Sequence, residues 1–179
     1  MNMAIELTEV NMAYDVSTQV VSGGRASSDS LHMVGFTVGS EEFCVDILKV
    51  QEIIRMVEIT LMPNAPDFVE GVINLRGKII PIIDFRKRMH LPFSDNLNEQ
   101  TRRIVVVSFG KVTVGLVVDK VSHVMKLSPD QISPTPDVIK GYDSECLMGV
   151  GRSGDRLLIL LDLEKMFKED EFNQLADAA

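Results

Sequence analysis

The chain has 179 residues, of which 45% are hydrophobic, as expected for a globular protein, and 26 acidic against 18 basic side chains give it a net charge of −8. Most of the acidic excess lies at the two ends, so the nearly neutral middle offers no cluster of Lys and Arg for a phosphate backbone, which argues against nucleic acid as a partner. The apolar runs are far shorter than the roughly 20 residues that a membrane-spanning helix needs, so we expect a soluble, cytoplasmic protein that does not insert into a membrane.

Residues 1–30 are expected to form a flexible leader. They end in a small, polar, glycine-bearing stretch, residues 22–30, that reads SGGRASSDS. The apolar residues Ile5, Leu7 and Val10 could form a short element, to which we assign no function. The ordered domain is therefore expected to span residues 31–167, and residues 168–179 form an acidic tail or helix end.

The first elements of this domain predict a β-hairpin. Residues 33–45 alternate apolar and polar side chains around a turn at residues 39–42. Asp46 is placed to cap a short helical turn, after which residues 52–57 are expected to form a strand. The apolar residues after Asp46 would also suit a longer helix.

A second hairpin is predicted over residues 72–83. A loop and one helical turn at residues 67–70 are expected before it, with Gly71 ending the helical turn. Pro81 lacks a backbone N–H, which favours a strand at the edge of a sheet or at a bulge. Asp84 then caps a short helix.

The second half of the chain follows the same plan. After a connection at residues 92–101, apolar segments on either side of a turn predict a third hairpin over residues 103–118 and a fourth over residues 147–161. Asp162 is placed to cap a final helix.

The two halves therefore read as copies of one unit. Residues 78–89 and 156–167 share a basic residue, an apolar stretch, an aspartate and a short helical stretch, at an offset of 78 residues. Other matches, at offsets of 71 and 70, are Gly39 with Gly110, Val50 with Val121, and Pro66 with Pro136. Valine-rich strands can match by coincidence, but these matches occur in the same order. In a duplicated fold, residues that differ between the copies are candidates for function.

Short strands, tight turns and few helices predict an all-β protein of two small barrels that share an apolar interface. Cys44 and Cys146 lie far apart in the sequence, among apolar neighbours and without CxxC spacing. We therefore expect them to be buried free thiols.

Two side chains of the first copy have no counterpart in the second. Glu52 corresponds to His123, and Arg76 corresponds to Gly154. An arginine and a glutamate can pair in a planar bidentate geometry that would hold two loops together. The alternative is an ordinary surface ion pair, worth at most about 1 kcal/mol.

The segment GVINLRGKIIPIIDFR, residues 71–86, resembles the CheW family of bacterial chemotaxis coupling proteins. The resemblance continues in the family's order over residues 41–53, 115–124 and 147–167. The chain departs from the family pattern at Phe85, where leucine is usual, and at His123, where aspartate is common. Its leader is also longer than a minimal family member needs.

This resemblance implies two intertwined five-stranded SH3-like barrels with a shared hydrophobic interface, short helices and a C-terminal helix. It implies a non-enzymatic adaptor without a cofactor or metal. In the family, a groove between the barrels takes the helical hairpin tip of a chemoreceptor, and one barrel docks on the regulatory domain of the histidine kinase CheA, so the protein would be recruited to membrane-associated receptor arrays. The residues that contact the kinase cannot be assigned from the sequence.

The matched positions around the receptor groove are Val50, Glu52, Gly71, Arg76, Gly77 and Val124. The two valines would line the walls of the seam between the barrels and offer an apolar slot to an amphipathic helix. The two glycines would permit backbone turns that a Cβ would obstruct. Arg76, held by Glu52, would present a fixed polar edge.

Other functions find less support in the sequence. No histidine has a cysteine or second histidine at metal-ligand spacing, and there is no nucleophile elbow, P-loop or dinucleotide-binding glycine motif. The basic residues Arg86, Lys87 and Arg88, with Arg102 and Arg103, are expected to form a solvated face that could meet an acidic partner.

Two alternatives remain besides the adaptor. A nucleic-acid-binding small β-barrel would use surface aromatic residues for stacking, but the chain has two Tyr and no Trp. A regulator of CheV type resembles CheW but carries an added receiver domain, for which the residues after Phe167 are too few.

Overall fold

The computed structural model describes residues 30–135 and 144–178, and these form two β-sheets with few helices. The strands are β1 Leu31–Val38, β2 Glu41–Asp46, β3 Val50–Arg55, β4 Val69–Leu75, β5 Lys78–Asp84, β6 Arg103–Phe109, β7 Val112–Val118, β8 Lys120–Leu127, β9 Ile132–Ser133, β10 Leu147–Ser153 and β11 Arg156–Leu161. The helices are α1 Phe85–Arg88 and α2 Glu169–Ala178. The leader up to residue 29 and the matched residue Pro136 lie outside the described residues.

The two halves of the chain exchange hairpins. The first sheet has the strand order β8-β1-β2-β11-β10-β9, and the second has the order β3-β6-β7-β5-β4. The β1–β2 hairpin therefore lies among strands of the second half, and the β6–β7 hairpin lies among strands of the first. This exchange intertwines the two units, as the resemblance implied, and the prediction of the fold class is confirmed.

In each sheet, the hairpin that comes from the other half of the chain pairs in parallel with the neighbouring strand. Cys44 of β2 pairs with Leu160 of β11, and Gly115 of β7 pairs with Ile82 of β5. The two pairs are related by the offsets of 71 and 78 residues that relate the halves of the sequence. The sheets thus share one plan, with β9 as a two-residue addition to the first.

Three apolar clusters hold these sheets together. One lies within the first sheet around Leu160, and a second lies within the second sheet around Ile82. The largest combines residues of both sheets and contains the fully buried rings of Phe36, Phe43 and Phe85, with the Phe85 centroid 5.1 and 4.9 Å from the other two. Each fully buried side chain of this size contributes about 1.5–3 kcal/mol to folding. The main core is therefore the interface between the sheets.

Three aspartates at or just after the ends of strands begin short helical turns, as the sequence predicted for Asp46 and Asp84. Asp162 was expected to cap the final helix, but it caps only the 3-10 turn Leu163–Lys165, and the helix begins later, at Glu169. The side chains of Asp46, Asp84 and Asp162 each accept a hydrogen bond from a backbone N–H two or three residues later, at 2.9, 3.1 and 3.1 Å. These bonds satisfy donors that a helix start would otherwise leave unpaired. After Asp46 there is only one 3-10 turn, Ile47–Lys49, and then strand β3, so the longer helix does not form.

The helical turn expected at residues 67–70 is absent. A two-residue turn at residues 67 and 68 leads directly into β4, and Gly71 lies inside that strand. The register of β4 and β5 shifts between Val69 and Gly71, which is a β-bulge. The glycine therefore serves a bulge in a strand, not the end of a helical turn.

Pro81 lies on an internal strand, because β5 is flanked by β7 and β4. The opposite residue on β4, Val72, uses both its N–H and its C=O for hydrogen bonds of 2.9 Å to Thr60. Pro81 therefore occupies a non-hydrogen-bonded position with respect to β4, and its missing N–H would face β7. Pairing with β7 begins only at Ile82, so the proline breaks no ladder bond.

Candidate functional site

The structure brings Glu52 and Arg76 together. Glu52 lies on β3 and Arg76 in the turn between β4 and β5, and Nη2 of the arginine lies 3.1 Å from Oε2 of the glutamate. The glutamate side chain is 17% exposed and the arginine side chain is 81% exposed. The contact is a single hydrogen bond and not the bidentate pair that the sequence suggested. The glutamate thus holds one edge of a guanidinium that otherwise faces solvent.

The backbone of Arg76 is in an unfavourable conformation. Its φ is 52° and that of Gly77 is 83°, as in a type I′ hairpin turn, and Asn74 Oδ1 accepts a hydrogen bond of 2.9 Å from the Gly77 N–H. A residue with a Cβ is disfavoured in this left-handed region by roughly 1–2 kcal/mol. At the corresponding turn of the second copy, Gly154 takes φ of 62° without that cost. The first copy keeps an arginine where its own fold favours glycine.

The second copy has a different contact at the equivalent place. His123 on β8 lies 3.5 Å from Arg156, measured between Nε2 and Nη1. Arg156 also pairs with Glu42 at 2.7 Å. Arg156 corresponds to Lys78, and the position of Arg76 is taken by Gly154, so the second copy has no guanidinium at the matching place in its turn. The asymmetry seen in the sequence is therefore present in the structure.

Val50 and Val124 lie on strands of different sheets. Val50 on β3 pairs with Val107, and Val124 on β8 pairs with Val34. Both valines are partly buried and pack against the central cluster between the sheets. They therefore border the seam from its two sides and leave some apolar surface exposed there.

Gly71 is required by the fold, and Gly77 is not constrained by contacts. With φ of 145°, Gly71 approaches Thr60 so closely that a Cβ would lie 2.1 Å from the Thr60 carbonyl oxygen. Gly149, its counterpart at the offset of 78, has φ of 158° and would place a Cβ 2.7 Å from the Ser133 oxygen. A Cβ at Gly77 would meet nothing within 4 Å. Because both copies need the bulge glycine, Gly71 shapes the strand beneath the site.

The basic cluster after Asp84 is not a solvated face. Of these three residues, Arg86 and Arg88 are 7% and 5% exposed, and only Lys87 points outward, where the hydrogen bond that it donates to Glu70 raises its pKa. Arg86 forms an ion pair of 2.5 Å with Asp119. The expectation failed because Arg86 and Arg88, on the short helix α1, face the protein interior.

Arg88 is enclosed by aromatic rings and the C-terminal segment. Its guanidinium lies 5.4 Å from the centroid of Phe68 and 5.6 Å from that of Phe167. It donates a hydrogen bond to the Met166 carbonyl and lies 3.8 Å from Glu171 on α2. No local signal in the sequence marks this contact, since its partners come from distant segments.

The described part of the chain shows no arrangement suited to metal chemistry. Within it, no group of three or more His, Cys, Asp and Glu side chains is placed to bind a metal ion. Cys44 and Cys146 are buried free thiols, as predicted, and burial raises the pKa of Cys44 to about 12. Across residues 30–135 and 144–178, no helix is both long and apolar enough to cross a membrane.

Comparisons with known proteins agree with this geometry. A family model described as CheW-like domain matches residues 32–171. The chain is 45% identical over 136 residues to the chemotaxis protein CheW of Klebsiella aerogenes, covering 76% of this chain and 81% of that protein. It is 35% identical over 158 residues to that of Rhizobium meliloti, covering 88% and 96%. The crystal structure of scaffolding protein TtCheW from Thermoanaerobacter tengcongensis is similar with a TM-score of 0.71 and 33% identity, covering 79% of this chain and 94% of that one.

Proposed function

The chain belongs to the CheW-like domain family, and we propose that it is a non-enzymatic chemotaxis adaptor that couples chemoreceptors to a CheA-type histidine kinase. The helical cytoplasmic tip of the receptor binds beside Arg76, and the regulatory domain of the kinase docks elsewhere on the two sheets. The protein acts in the cytoplasm at membrane-associated receptor arrays. The adaptor domain expected from the sequence is residues 31–167, and helix α2, which lies beyond it, packs on the same core through Leu175.

The observation that carries the receptor site is the conformation of Arg76. An exposed side chain that contributes little to stability is kept in a left-handed backbone where the second copy uses Gly154. Strain of this kind is maintained where the side chain has another use. A guanidinium held at one edge by Glu52 keeps its remaining donors free for polar groups of a partner helix.

The other proposed site residues supply shape and apolar surface. Val50 and Val124 border the seam from the two sheets, where an amphipathic helix could place its apolar face. Gly71 allows the β4 bulge, and Gly77 allows the turn that presents Arg76. The six positions thus combine an apolar strip with one fixed cation.

Assembly of the three components tests this function. The adaptor, a receptor cytoplasmic fragment and CheA are mixed, the complex is captured by a tag on the receptor, and kinase activity is assayed in the same mixture. We expect a three-component complex with activated kinase from the native chain, and neither from Arg76→Gly, which copies the turn of the second half. Lys111→Glu, at the exposed β6–β7 turn, is the matched control and should behave as the native chain does.

Failure of the native chain to enter the complex would reject the adaptor function. Full complex formation and kinase activation by Arg76→Gly would be compatible with the adaptor function but would reject the proposed receptor site at Arg76.

A further inference from the structure

Two arginines stand directly opposite each other at one end of the second sheet. Arg55 on β3 pairs in register with Arg103 on β6. Opposite residues of an antiparallel pair point to the same face, with Cβ atoms about 4.5–5.5 Å apart, and like charges at this spacing destabilise a sheet. Both side chains reach solvent, since Arg55 is exposed and Arg103 is half-buried. The fold therefore carries a pair of cations that weakens it.

No acidic side chain neutralises this arginine pair within the residues that the structure describes. Three acidic residues lie near it in the sequence. Glu99 pairs with a neighbouring arginine at 2.7 Å, and Asp119 is bound to the buried Arg86 at 2.5 Å. Glu58, which follows shortly after β3, is exposed and forms no ion pair with any described residue. The positive charge at this end of the sheet is therefore available to a partner.

The arginine pair has one guanidinium held in place and one that is free to move. Nη1 of Arg103 donates hydrogen bonds of 2.8 Å to the backbone carbonyls of Gln100 and Arg102. These bonds fix the guanidinium, and its Nε and Nη2 donate to no group in the described structure. Arg55 forms no hydrogen bond or ion pair with the described residues. A carboxylate placed between the two guanidiniums would accept hydrogen bonds from both and remove their repulsion.

The face that carries the arginine pair also borders the seam between the sheets. On β3, Val50 and Ile53 pack against the central cluster, and Arg55 follows Ile53 on the same face. On β6, Val105 belongs to that cluster and lies two residues from Arg103. The apolar strip of the proposed receptor site therefore ends at two cations.

The second copy has other basic residues at the equivalent register. Lys126 on β8 pairs with His32 on β1, and the offset of 71 residues relates these positions to Arg55 and Arg103. A lysine and a histidine lack the planar fork with which two arginines bind a carboxylate. The pair of guanidiniums is therefore particular to the first copy, which also carries Arg76.

We propose that Arg55 and Arg103 bind an acidic side chain of the receptor helix that lies in the seam. This inference rests on the proposed function, because it adds a second anchor to the same receptor site. Val50 and Arg55 begin and end β3, so their Cα atoms lie at most about 17 Å apart. A helix rises about 1.5 Å per residue. On a helix that runs along β3, the acidic residue is therefore within about three turns of the residue that contacts Val50.

Substitutions of Arg55 test the pair. In Arg55→Glu a carboxylate stands opposite Arg103 and neutralises it, so the melting temperature should not fall, while the affinity for a receptor cytoplasmic fragment should fall about tenfold. Arg55→Gln should lose about fivefold, and its affinity should depend less on salt than that of the native chain between about 50 and about 500 mM. Lys111→Gln, which removes a cation from the exposed β6–β7 turn, is the matched control and should bind as the native chain does.

A double-mutant cycle identifies the partner group. Each Asp and Glu near the tip of the receptor fragment is replaced in turn by Asn or Gln, and titration calorimetry measures binding to the native chain and to Arg55→Gln. We expect one replacement to weaken binding of the native chain about fivefold and to have little effect with Arg55→Gln, because both changes remove the same contact.

Native affinity of Arg55→Gln, or independent effects of every acidic replacement, would overturn the proposal and leave the adaptor function standing. A melting temperature of Arg55→Glu far below that of the native chain would make the pair structural. Loss of CheA binding with unchanged receptor binding would make the kinase the acidic partner and would also overturn the proposal. If the native chain did not bind the receptor fragment, the proposed function would fail, and this inference with it.

Discussion

Glu52 and Arg76 belong to opposite margins of the second sheet, yet their side chains meet at 3.1 Å. Strand β3 is first and β4 last in the strand order, so the sheet must curl until its two margins approach each other. The ion pair spans that closure next to the seam between the sheets. The ion pair therefore both joins the two margins of the barrel and forms part of the proposed receptor surface.

Charge reversal at this pair should separate binding from stability. We expect Arg76→Glu or Glu52→Arg to weaken binding of a receptor fragment at least tenfold, which corresponds to about 1.4 kcal/mol. The first substitution removes the cation, and the second places a like charge beside Arg76 in place of the carboxylate that holds it. The melting temperature should fall by no more than about 2–4 °C, since an exposed pair is worth at most about 1 kcal/mol. Titration calorimetry and thermal unfolding measure the two effects. If either variant unfolds far below the native chain, the pair is structural.

The two glycines of the proposed site should respond differently to alanine. Gly71→Ala forces a Cβ against the Thr60 carbonyl, so we expect a loss of about 3 kcal/mol or more in the free energy of unfolding. Gly77→Ala meets no atom within 4 Å and should cost only about 1 kcal/mol through its backbone conformation. Urea unfolding measures both changes. Gly149→Ala serves as the internal comparison, and a neutral Gly71→Ala would contradict the bulge geometry.

Replacement of Arg88 should loosen the C-terminal helix. Arg88→Met removes the hydrogen bond to Met166 and the stacking on Phe68 and Phe167, and we expect a loss of about 2 kcal/mol. Amide hydrogen exchange should accelerate in α2 more than in β6 or β7. Lys87→Met, on the exposed side of the same helix, is the control and should have little effect. Unchanged exchange in α2 would mean that its attachment depends on other contacts.

Burial of Cys44 should make stability fall at alkaline pH. Its pKa is raised by burial from 9.0 to about 12, so the folded protein retains a proton that the unfolded chain releases above pH 9. The stability that this difference contributes is complete below pH 9 and is lost as the pH rises toward 12, by about 1.4 kcal/mol per pH unit. Denaturant unfolding of the native chain and of Cys44→Ala between pH 8 and 10.5 compares the slopes. Equal slopes would show that the thiol does not contribute.

Local structure was predictable where a residue's partner lies close in the sequence. Two apolar runs on either side of Gly110 predicted β6 and β7 with their observed limits. The caps at Asp46 and Asp84 were predictable because a side chain bonds a backbone N–H only two or three residues away. In these cases the interactions that determine the local structure are between residues close in the sequence.

Predictions failed where the decisive partner is far away. From the sequence, Arg86 was expected to be a surface residue. In the structure it is covered by Asp119, which it binds, and by the β1–β2 turn, whose Gly39 N–H also binds Asp119. Pro81 reads as an edge residue because its second neighbour, β7, arrives through the exchange of hairpins. At the candidate site, the asymmetry of Glu52 and Arg76 could be seen in the sequence, but the left-handed backbone of the arginine could not.

The exchange of hairpins also affects how the protein is made. The β1–β2 hairpin leaves the ribosome early, but its partner strands β8 and β11 are synthesised much later. At about 5–20 residues per second, the hairpin waits for several seconds with its apolar face uncovered. Long sequence separation between partners also slows closure of the barrel. Until β8 and β11 have been synthesised, this hairpin is therefore a part of the nascent chain that is prone to aggregate.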